Sequence, residues 1–474
     1  MIGLRAFPPN GHAVGLAASP SPHPRLMLVI AALVAITCSA HESVSQSTYI
    51  LATGRRLPYL YAISLDEAVT PANNHTPNAI ASRAKVALDR LDGQLLGDPA
   101  NLVVSEDGGT VYVVNHHGAI DNVEFRQHGG RGMIAVLDVD HVLDPDNDKT
   151  ANALQRHLDS GGFGALGVVL LPDMLIVGNA ENHLTEDGGN RITFIDRRTG
   201  SLRATVELAL GSPGFDCEEY PVPYAAPYGP PRNLAVLAPG PHLGCFPNPN
   251  GLALGRSSDG GEYVFSANGG TNDVSVISLG SALEGDRLAE IGRIPMQVGP
   301  WGITATPDGR HVIVANGGSQ RESRSGNTIS IVDVDRASAG ADDAEAARVL
   351  VGTDDPEEQT HPLILSVTPD GREVIVPNVR ASNVSIVNLE LALAGEHAEV
   401  ARIPLSRADG RPARPKGSAV TSDGRYAVIS GGPGSQPFSE ETGYVYVIDL
   451  RSRLVVGTVT GVGNDPYNLA LVRR

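Results

Sequence analysis

The strongest constraint on the fold of this chain is a phrase that it repeats. The clearest copies are "TPDGRHVIVANGG", which starts at Thr306, and "TPDGREVIVPNVR", which starts at Thr368. The Asp-Gly pairs of all the copies begin at Asp107, Asp259, Asp308, Asp370 and Asp423, and a degenerate copy, "LLPDMLIVGN", lies in the long gap before the second pair. A phrase that recurs at about fifty residues or more indicates a repeat architecture.

Each repeat reads as four strands. Short apolar stretches such as "GITA" precede the Asp-Gly pair, and alternating β-branched segments such as "HVIVAN" follow it, so two strands flank a tight hairpin. Asp suits this turn because it can hydrogen-bond its own backbone, and Gly suits it because Gly accepts a positive φ. A third strand ("NTISIVDVD") and a fourth ("EIGRIPMQV") complete the repeat. Four antiparallel strands in each repeat are typical of a propeller blade.

The two ends of the chain predict how the ring closes. Six blades can be placed by their Asp-Gly turns or the degenerate equivalent, and the seventh is split: "STYILATG" and "YLYAISL" lack a first strand, while "DPYNLALVRR" is a first strand without a successor. We therefore predict an all-β, seven-bladed propeller of four-stranded antiparallel blades. Pairing of Pro466–Val472 with Tyr49–Ala52 would remove the open edge of the half blade.

The repeated phrase resembles the YVTN-repeat β-propeller family, and the resemblance covers nearly all of Tyr49 to Val472. It rests on the pattern Pro-Asp-Gly-Arg followed by alternating valines and Asn, and later by "VSIV" or "VYVID". The resemblance implies the propeller fold. It leaves the function open, because that family is similar to surface-layer repeats, periplasmic binding proteins and lactonase-like enzymes alike.

The first forty residues predict an export signal. They contain Arg5 and Arg25 but no acid, an apolar run "LMLVIAALVAI", and "CSA" before a cleavage site at Ala40. The run is too short for a membrane-spanning helix, which needs about 20 residues, and lipidation of Cys38 is a further alternative. We predict a signal peptide over 1–40 and one propeller domain over 41–474, located in the periplasm, on the cell surface or outside the cell.

A Pro-rich insertion lies between Cys217 and Cys245 and reads "EEYPVPYAAPYGPPRNLAVLAPGPHLG". In an exported protein, two remaining cysteines are more often a disulfide than a metal site. We predict that these two residues are bridged.

The net charge excludes some partners. It is −17 for the whole chain, and removal of the predicted signal, which carries two arginines and no acid, makes it −19. A body this acidic repels nucleic acid and anionic lipid. The expected partners are a protein, a glycan or a small molecule, the mature chain is expected to lack a transmembrane segment, and the expected state is a monomer.

The unusual residues gather on one face of the predicted ring, which we call the loop face. There the loops between second and third strands emerge beside the loops from blade to blade. The predicted ligand-binding residues on this face are His116, His117, His183, Trp301, His361 and Lys416. Imidazole groups near carboxylates suit a divalent metal such as Zn, Cu or Ca, and the candidate metal ligands are His116, His128, His183 and His361. Exposed loop histidines are the alternative explanation.

The sequence contains little that points to catalysis. The chain contains no Gly-x-Ser-x-Gly, His-Glu-x-x-His or Cys-x-x-Cys-His motif, although lactonase-like propellers can act by acid and base groups alone. The candidates for such a set are Glu124, Arg126, His128 and Arg131. We therefore expect an exported, non-catalytic binding or scaffold propeller. The alternative is a lactonase-like hydrolase or a metal-dependent enzyme that uses the His-rich mouth of the channel.

An Asn ends the predicted second strand in five repeats, namely Asn115, Asn179, Asn268, Asn316 and Asn378. These residues could form a polar ring around the channel. Their recurrence favours a structural role, in which Asn accepts a left-handed backbone and caps the turn that leaves the strand.

Overall fold

A computed structural model describes residues 46–55, 57–88, 97–117, 131–144, 152–180, 182–183, 187–210, 247–318, 326–341, 343–433 and 440–474. In these residues, seven antiparallel four-stranded sheets form the blades of a ring. The innermost strands of successive blades contact one another around a central channel. The prediction of a seven-bladed all-β propeller is confirmed.

The strands of the first four blades, each given from the innermost strand outward, have the following bounds. Blade 1 contains β30 (Leu469–Arg473), β1 (Thr48–Thr53), β2 (Tyr59–Ser64) and β3 (Ile80–Ala87). Blade 2 contains β4 (Gly97–Val104), β5 (Thr110–His117), β6 (Arg131–Asp138) and β7 (Leu154–Phe163). Blade 3 contains β8 (Ala165–Leu170), β9 (Met174–Asn179), β12 (Arg191–Asp196) and β13 (Leu202–Glu207), and a short ribbon of β10 (Asn182–His183) and β11 (Asp187–Gly188) accompanies it. Blade 4 contains β14 (Pro249–Arg256), β15 (Glu262–Asn268), β16 (Asp273–Ser278) and β17 (Glu290–Pro295).

The last three blades follow the same order. Blade 5 contains β18 (Pro300–Ala305), β19 (His311–Asn316), β20 (Thr328–Asp333) and β21 (Glu345–Leu350). Blade 6 contains β22 (Ser366–Val367), β23 (Glu373–Asn378), β24 (Asn383–Asn388) and β25 (Glu399–Pro404). Blade 7 contains β26 (Pro415–Val420), β27 (Tyr426–Gly431), β28 (Tyr444–Asp449) and β29 (Leu454–Thr460).

The ring closes as predicted. β30 pairs antiparallel with β1, with Thr48 opposite Arg473 and Ala52 opposite Leu469. The strand that comes last in the sequence therefore becomes the innermost strand of the first blade. The closure pairs the edge that β1 would otherwise expose.

The Asp-Gly hairpins have the predicted turn chemistry and one addition. Asp308 accepts a hydrogen bond from the backbone N–H of Arg310 at 3.0 Å, and Gly309 has a φ of +73°. The turn also contains a hydrogen bond that the sequence analysis does not predict. The hydroxyl of the residue two positions before the Asp makes it, and in this turn Thr306 Oγ1 donates to Asp308 Oδ1 at 2.6 Å. These hydrogen bonds lower the pKa of Asp308 because they favour the ionised carboxylate. A Ser or Thr makes the same contact at the other four Asp-Gly turns.

In the described parts of the chain, short helices, which the sequence analysis does not predict, follow the third strand of five blades. They are α1 (Leu65–Ala68), α2 (Val139–Leu143), α3 (Leu279–Leu283), α4 (Val334–Ser338) and α5 (Leu389–Leu393). The last residue of each preceding strand is a Ser, Asp or Asn whose side chain caps the helix. The first and fourth residues of each helix are buried and apolar.

The recurring asparagines are structural, but not for the predicted reason. Their residues are fully buried, and their φ angles are not positive. Asn316 is typical, since its amide donates to Thr328 Oγ1 at 3.0 Å and to Ser330 Oγ at 2.9 Å on the neighbouring strand. Asn179, Asn268 and Asn378 likewise tie the second strand to the third, whereas the amide of Asn115 donates to the carbonyl of Val113 on its own strand at 3.3 Å. The predicted left-handed backbone at the strand end is wrong.

The core lies between the blades and is mostly aliphatic. Between blades 4 and 5, for example, Val312 and Val314 pack with Phe265 and Ala267. This packing agrees with a chain in which only 4% of residues are aromatic. Within the described ranges, no helix has the length and hydropathy needed to cross a membrane.

Candidate functional site

The mouth of the channel lies on the loop face, where the innermost strands begin. In five blades, the residue before a Pro that lies at or just before the start of that strand has a left-handed backbone: Asp98 (φ +67°), Asn248 (+55°), Gly299 (+66°), His361 (+56°) and Arg414 (+47°). Gly adopts this conformation at no steric cost, and blade 5 uses it. Asp, His and Arg adopt it at a cost, and backbone strain of this kind is concentrated at functional sites.

Eight side chains meet at this position, and we call them the mouth cluster. They are Arg55, Asp98, His116, Trp301, His361, Lys416, Asp465 and Tyr467. The cluster draws on blades 1, 2, 5, 6 and 7. The closed ring is therefore what assembles it.

Aromatic residues form the floor of the mouth. Trp301 Nε1 donates a hydrogen bond to the hydroxyl of Tyr467, and both rings pack with Ala100, Leu166 and Leu363. Tyr467 is buried, and burial raises the pKa of its hydroxyl. Trp301 and Tyr467 therefore form a packed aromatic layer next to the cavity that Trp301 also lines.

An ion pair stands above this floor on one side. The guanidinium of Arg55 lies 4.2 Å from the centre of the Tyr467 ring, and its Nε is 3.3 Å from Asp98 Oδ1. The other carboxylate oxygen of Asp98 is 3.8 Å from Nδ1 of His116. Asp98 and His116 are both buried, so a carboxylate, a guanidinium and an imidazole share a poorly solvated corner of the mouth.

A second ion pair stands beside His361. Lys416 Nζ contacts Asp465 Oδ1 and donates to the carbonyl of Gly432 at 3.2 Å. Burial lowers the pKa of Lys416, and the positive charges of Arg55 and Arg414 act in the same direction. The carboxylate of Asp465 opposes this change because it favours the ammonium form.

His361 is held as a neutral imidazole with one defined tautomer. Its Nδ1 lies 2.5 Å from the carbonyl oxygen of Gly317, and because a carbonyl can only accept, Nδ1 must carry the proton. The pKa of His361 is lowered to about 4, mainly by burial, and the positive charges of Arg380 and Lys416 contribute in the same direction. Nε2 therefore keeps its lone pair at neutral pH, and no hydrogen-bond partner for it occurs among the described residues.

Beneath the floor, the channel contains a cavity of about 340 Å³. Side chains of the innermost strands tie neighbouring blades together around it. Asn101 Nδ2 donates to the carbonyl of Leu166 at 2.6 Å, and Asn468 Nδ2 donates to Asn101 Oδ1 at 2.9 Å. The residues that line the cavity are all uncharged, which distinguishes it from the charged mouth.

The structure brings together four of the predicted ligand-binding residues: His116, Trp301, His361 and Lys416. The backbones of His117 and His183 lie at the end of β5 and in the ribbon on the same face, and Arg131 begins β6. The candidates Glu124, Arg126 and His128 lie outside the described residues, as do Cys217 and Cys245.

The metal interpretation stays a prediction. Of its candidate ligands, the structure describes the side chains of His116 and His361, which stand beside Asp98 and the carbonyl of Gly317 respectively. No group of three His, Cys, Asp or Glu side chains that could hold a metal occurs in the parts of the chain that the structure describes.

Sequence reasoning missed half of the mouth cluster. Asp98 precedes Pro99 as His361 precedes Pro362, so alignment of the innermost strands on their prolines would have found it. The same alignment places Asp465 and Tyr467 on either side of Pro466. Arg55 follows β1, which is the second strand of blade 1. The other repeats have no recurring residue at the corresponding position that would have pointed to it.

The fold and the mouth together define a class: a seven-bladed β-propeller with a charged, base-containing mouth at one end of its central channel. Solved structures of this fold include a Bacteroides fragilis protein provisionally named 6-phosphogluconolactonase, which is 14% identical with a TM-score of 0.54, the match covering 91% of this chain and 99% of that one. The periplasmic gluconolactonase of Pseudomonas aeruginosa is 15% identical with a TM-score of 0.56, covering 90% and 99%. No protein-family model and no curated protein matches the sequence.

These comparisons correct one prediction. The expected non-catalytic binding or scaffold role is contradicted by similar structures that are named as lactonases, and they agree instead with the alternative of a lactonase-like hydrolase. At this level of identity the likeness establishes the fold, and chemistry has to be argued from the mouth itself.

Proposed function

We propose that the protein hydrolyses a lactone at the mouth cluster. The observation that carries the proposal is His361, a neutral imidazole with a free Nε2 lone pair beside the buried Lys416. A general base of this kind acts on water without a covalent nucleophile. The names of similar structures support the same reaction class.

The chemistry requires no other reactant than water. His361 Nε2 takes a proton from a water molecule while the water oxygen forms a bond to the lactone carbonyl carbon. The carbonyl oxygen becomes an oxyanion, which the positive potential of Arg55 and Lys416 stabilises. The bond between that carbon and the ring oxygen then breaks, and the ring oxygen takes the proton from the imidazolium to give a hydroxy acid.

The charges of the mouth cluster favour binding of a polar substrate, and of an anionic substrate in particular. Four positive groups act on the cluster: Arg55, Arg380, Arg414 and Lys416. The two carboxylates that pair with them are those of Asp98 and Asp465. This concentration of positive charge in a chain of net charge −17 suits a sugar-acid lactone with or without a phosphate.

The first test is a hydrolysis assay with two variants. Gluconolactone and 6-phosphogluconolactone would be followed by acid release, with spontaneous hydrolysis subtracted. We expect His361→Asn to lower kcat/KM by roughly 100-fold or more, because Asn tolerates the left-handed backbone but cannot act as a base. His311→Asn, at the hairpin end of β19, is the matched control and should keep the full rate.

Two results would overturn the proposal. One is a wild-type protein that hydrolyses neither lactone faster than buffer does. The other is a folded His361→Asn protein that is as active as the wild type.

We further propose that the chain is an exported member of the YVTN-repeat family. Support comes from the repeated phrase, from the apolar N-terminal segment and from the periplasmic gluconolactonase of similar fold. Mass and thiol analysis of the protein from the cell envelope would test it. An N-terminus after Ala40 and no free thiol at Cys217 and Cys245 are the expected results.

A further inference from the structure

The cavity in the central channel is a candidate binding site of its own. Its volume is about 340 Å³, which lies within the range of small-molecule sites. All seven blades contribute to its wall, and the innermost strand of each blade pairs with one neighbouring strand only. The inward edge of such a strand presents backbone N–H and C=O groups that the sheet does not use. The channel therefore offers hydrogen-bond donors and acceptors without charge.

Two polar side chains in this wall keep free hydrogen-bonding capacity. Asn250 of blade 4 is buried; its amide nitrogen donates to the carbonyl of Pro300 at 3.4 Å, while its Oδ1 has no hydrogen-bond partner among the described residues. The hydroxyl of Thr304, on blade 5, likewise makes no hydrogen bond within the described ranges. Both residues line the cavity. A buried acceptor that no protein group fills indicates that a water molecule or a ligand fills it.

An aromatic ring lies between these two groups in the chain. Trp301 also lines the cavity, it directly follows the Pro300 carbonyl that Asn250 contacts, and Thr304 is three residues further along β18. The three groups therefore belong to the contact between blades 4 and 5. A sugar ring has C–H groups on its face and hydroxyls on its rim, and each hydroxyl can both donate and accept. An aromatic side chain with a few neutral polar groups suits such a molecule.

The cavity and its surroundings disfavour an anion. The lining residues are uncharged, so an anion would lose its hydration there without gaining a counter-ion. A pocket of about 940 Å³ adjoins the cavity, since Leu102 and Val103 line both. This pocket reaches the face of the ring that carries the Asp-Gly hairpins, which we call the hairpin face, and it is lined there by Glu106 and Asp107. Negative charge at this end of the channel repels anions.

We propose that the channel cavity binds a neutral polyhydroxylated molecule, a free sugar or a polyol, that enters from the hairpin face. Asn250 Oδ1 accepts a hydrogen bond from one hydroxyl, the Thr304 hydroxyl pairs with another, and the carbon skeleton packs against Trp301. This site is distinct from the mouth cluster, where the proposed lactone hydrolysis takes place. The inference goes beyond that proposed function and does not depend on it.

The test is a titration of the full chain with D-glucose and with myo-inositol. Trp301 is the sole tryptophan, so its fluorescence reports on the cavity, and calorimetry gives an independent dissociation constant. We expect a saturable response to at least one of the two compounds. Gluconate, which is the charged counterpart of glucose, serves for comparison. Any response to gluconate should come from the mouth and should not depend on Thr304.

Variants of the wall locate the bound molecule. Thr304→Val removes the hydroxyl and keeps the shape, so we expect the dissociation constant to rise by about 3- to 10-fold, whereas Thr304→Ser should keep the wild-type value. Ala419→Leu adds bulk to a residue of the cavity wall and should abolish binding. Thr110→Val is the matched control, because Thr110 is a partly exposed Thr at the hairpin end of β5. Melting temperatures would confirm that each variant is folded.

The outcomes keep this proposal apart from the proposed function. A wild-type protein that gives no saturable response to either compound overturns the cavity site. So does a response that is unchanged in Thr304→Val and Ala419→Leu but lost in His361→Asn, because it would place the molecule in the mouth. A response that survives in His361→Asn and weakens in Thr304→Val supports the cavity site, whether or not the protein hydrolyses a lactone.

Discussion

At the scale of single residues, the position before the Pro that leads into an innermost strand carries a different side chain from blade to blade. The same left-handed backbone carries Asp98 in blade 2, His361 in blade 6 and a bare Gly299 in blade 5. The fold thus supplies an equivalent site in several blades, and the side chain can vary from one to the next. A propeller can in this way place a carboxylic acid, an imidazole base and a residue without a side chain at equivalent positions around its channel.

The pH dependence of the proposed reaction belongs to His361. Its pKa is lowered to about 4, so the base is unprotonated at every pH well above that value. We expect kcat/KM to stay level from pH 7 down to about 5 and to halve near pH 4, whereas an ordinary imidazole would lose activity near pH 6.5. A rate profile measured between pH 3.5 and 8 checks this, and an acid limb near 6.5 would contradict it.

The contact between Trp301 and Tyr467 gives a second prediction. Tyr467→Phe removes the acceptor of the indole N–H, so we expect the free energy of unfolding to fall by about 1 kcal/mol. Since Trp301 is the sole tryptophan, its fluorescence should shift to shorter wavelength.

Tyr446→Phe provides the control for this change. Tyr446 is also buried, but its hydroxyl has no hydrogen-bond partner among the described residues. Stability and fluorescence should therefore stay close to those of the wild type. Equal effects of the two substitutions would show that loss of a buried hydroxyl, and not loss of the floor contact, is being measured.

At the scale of elements, the outermost strands carry a device that joins neighbouring blades. In β25, Glu399 accepts a hydrogen bond from the backbone N–H of Gly352 at 2.8 Å, and Arg402 pairs with Asp354 at 3.0 Å. Blade 4 repeats it, since Glu290 accepts from the N–H of Ala209 at 2.7 Å. In blades 4 and 6, the Glu-x-x-Arg pair of the fourth strand thus holds the loop that leaves the preceding blade.

Substitution of Glu399 tests this device. Glu399→Ala leaves the Gly352 N–H and part of the Arg402 guanidinium without an acceptor, so we expect a loss of about 1–3 kcal/mol in the free energy of unfolding. Glu345→Ala is the matched control: Glu345 belongs to the same Glu-x-x-Arg pattern on the fourth strand of blade 5, but among the described residues it pairs with the half-exposed Arg348 of its own strand and with no loop of blade 4. This substitution should cost less than about 1 kcal/mol. Urea denaturation of both variants would decide, and similar losses would rule out the interblade role.

Elements whose residues interact with near neighbours in the sequence, and whose pattern recurs in each repeat, could be predicted from the sequence. Contacts between residues that are far apart in the sequence could not. The hairpins follow from alternation and from Asp-Gly, as at Asp308. The role of Asn316 was misjudged because its hydrogen bonds go to the next strand, which no local pattern reveals. Trp301, His361 and Lys416 could be predicted because each lies next to a Pro where the chain enters an innermost strand, whereas Arg55 meets its partner Asp98 only when blades 1 and 2 pack together.

At the scale of the whole molecule, closure of the ring is the main cooperative contact. Residues Tyr467, Leu469 and Val472 of the closing segment are all buried, and they pack on both sides of blade 1. The closing segment thus links the hydrophobic layers of blades 7, 1 and 2.

Deletion of residues 465–474 should therefore destabilise the entire ring. Burial of each large aliphatic side chain contributes about 1.5–3 kcal/mol, so we expect a loss of more than about 4 kcal/mol, measured by thermal and urea unfolding. Arg473→Ala, on an exposed residue of the same strand, should change stability by less than about 0.5 kcal/mol. A truncated protein that melts like the full chain would refute closure by β30.

The pairing of β30 with β1 also has a consequence during synthesis on the ribosome. β30 follows β1 by about 400 residues, so at about 5–20 residues per second the nascent chain holds β1 without its inner neighbour for roughly 20–80 s. Asp465 and Tyr467 emerge in the same final moments. The growing polypeptide therefore exposes an apolar strand edge for most of translation and acquires a complete mouth only when the last blade strand has been made.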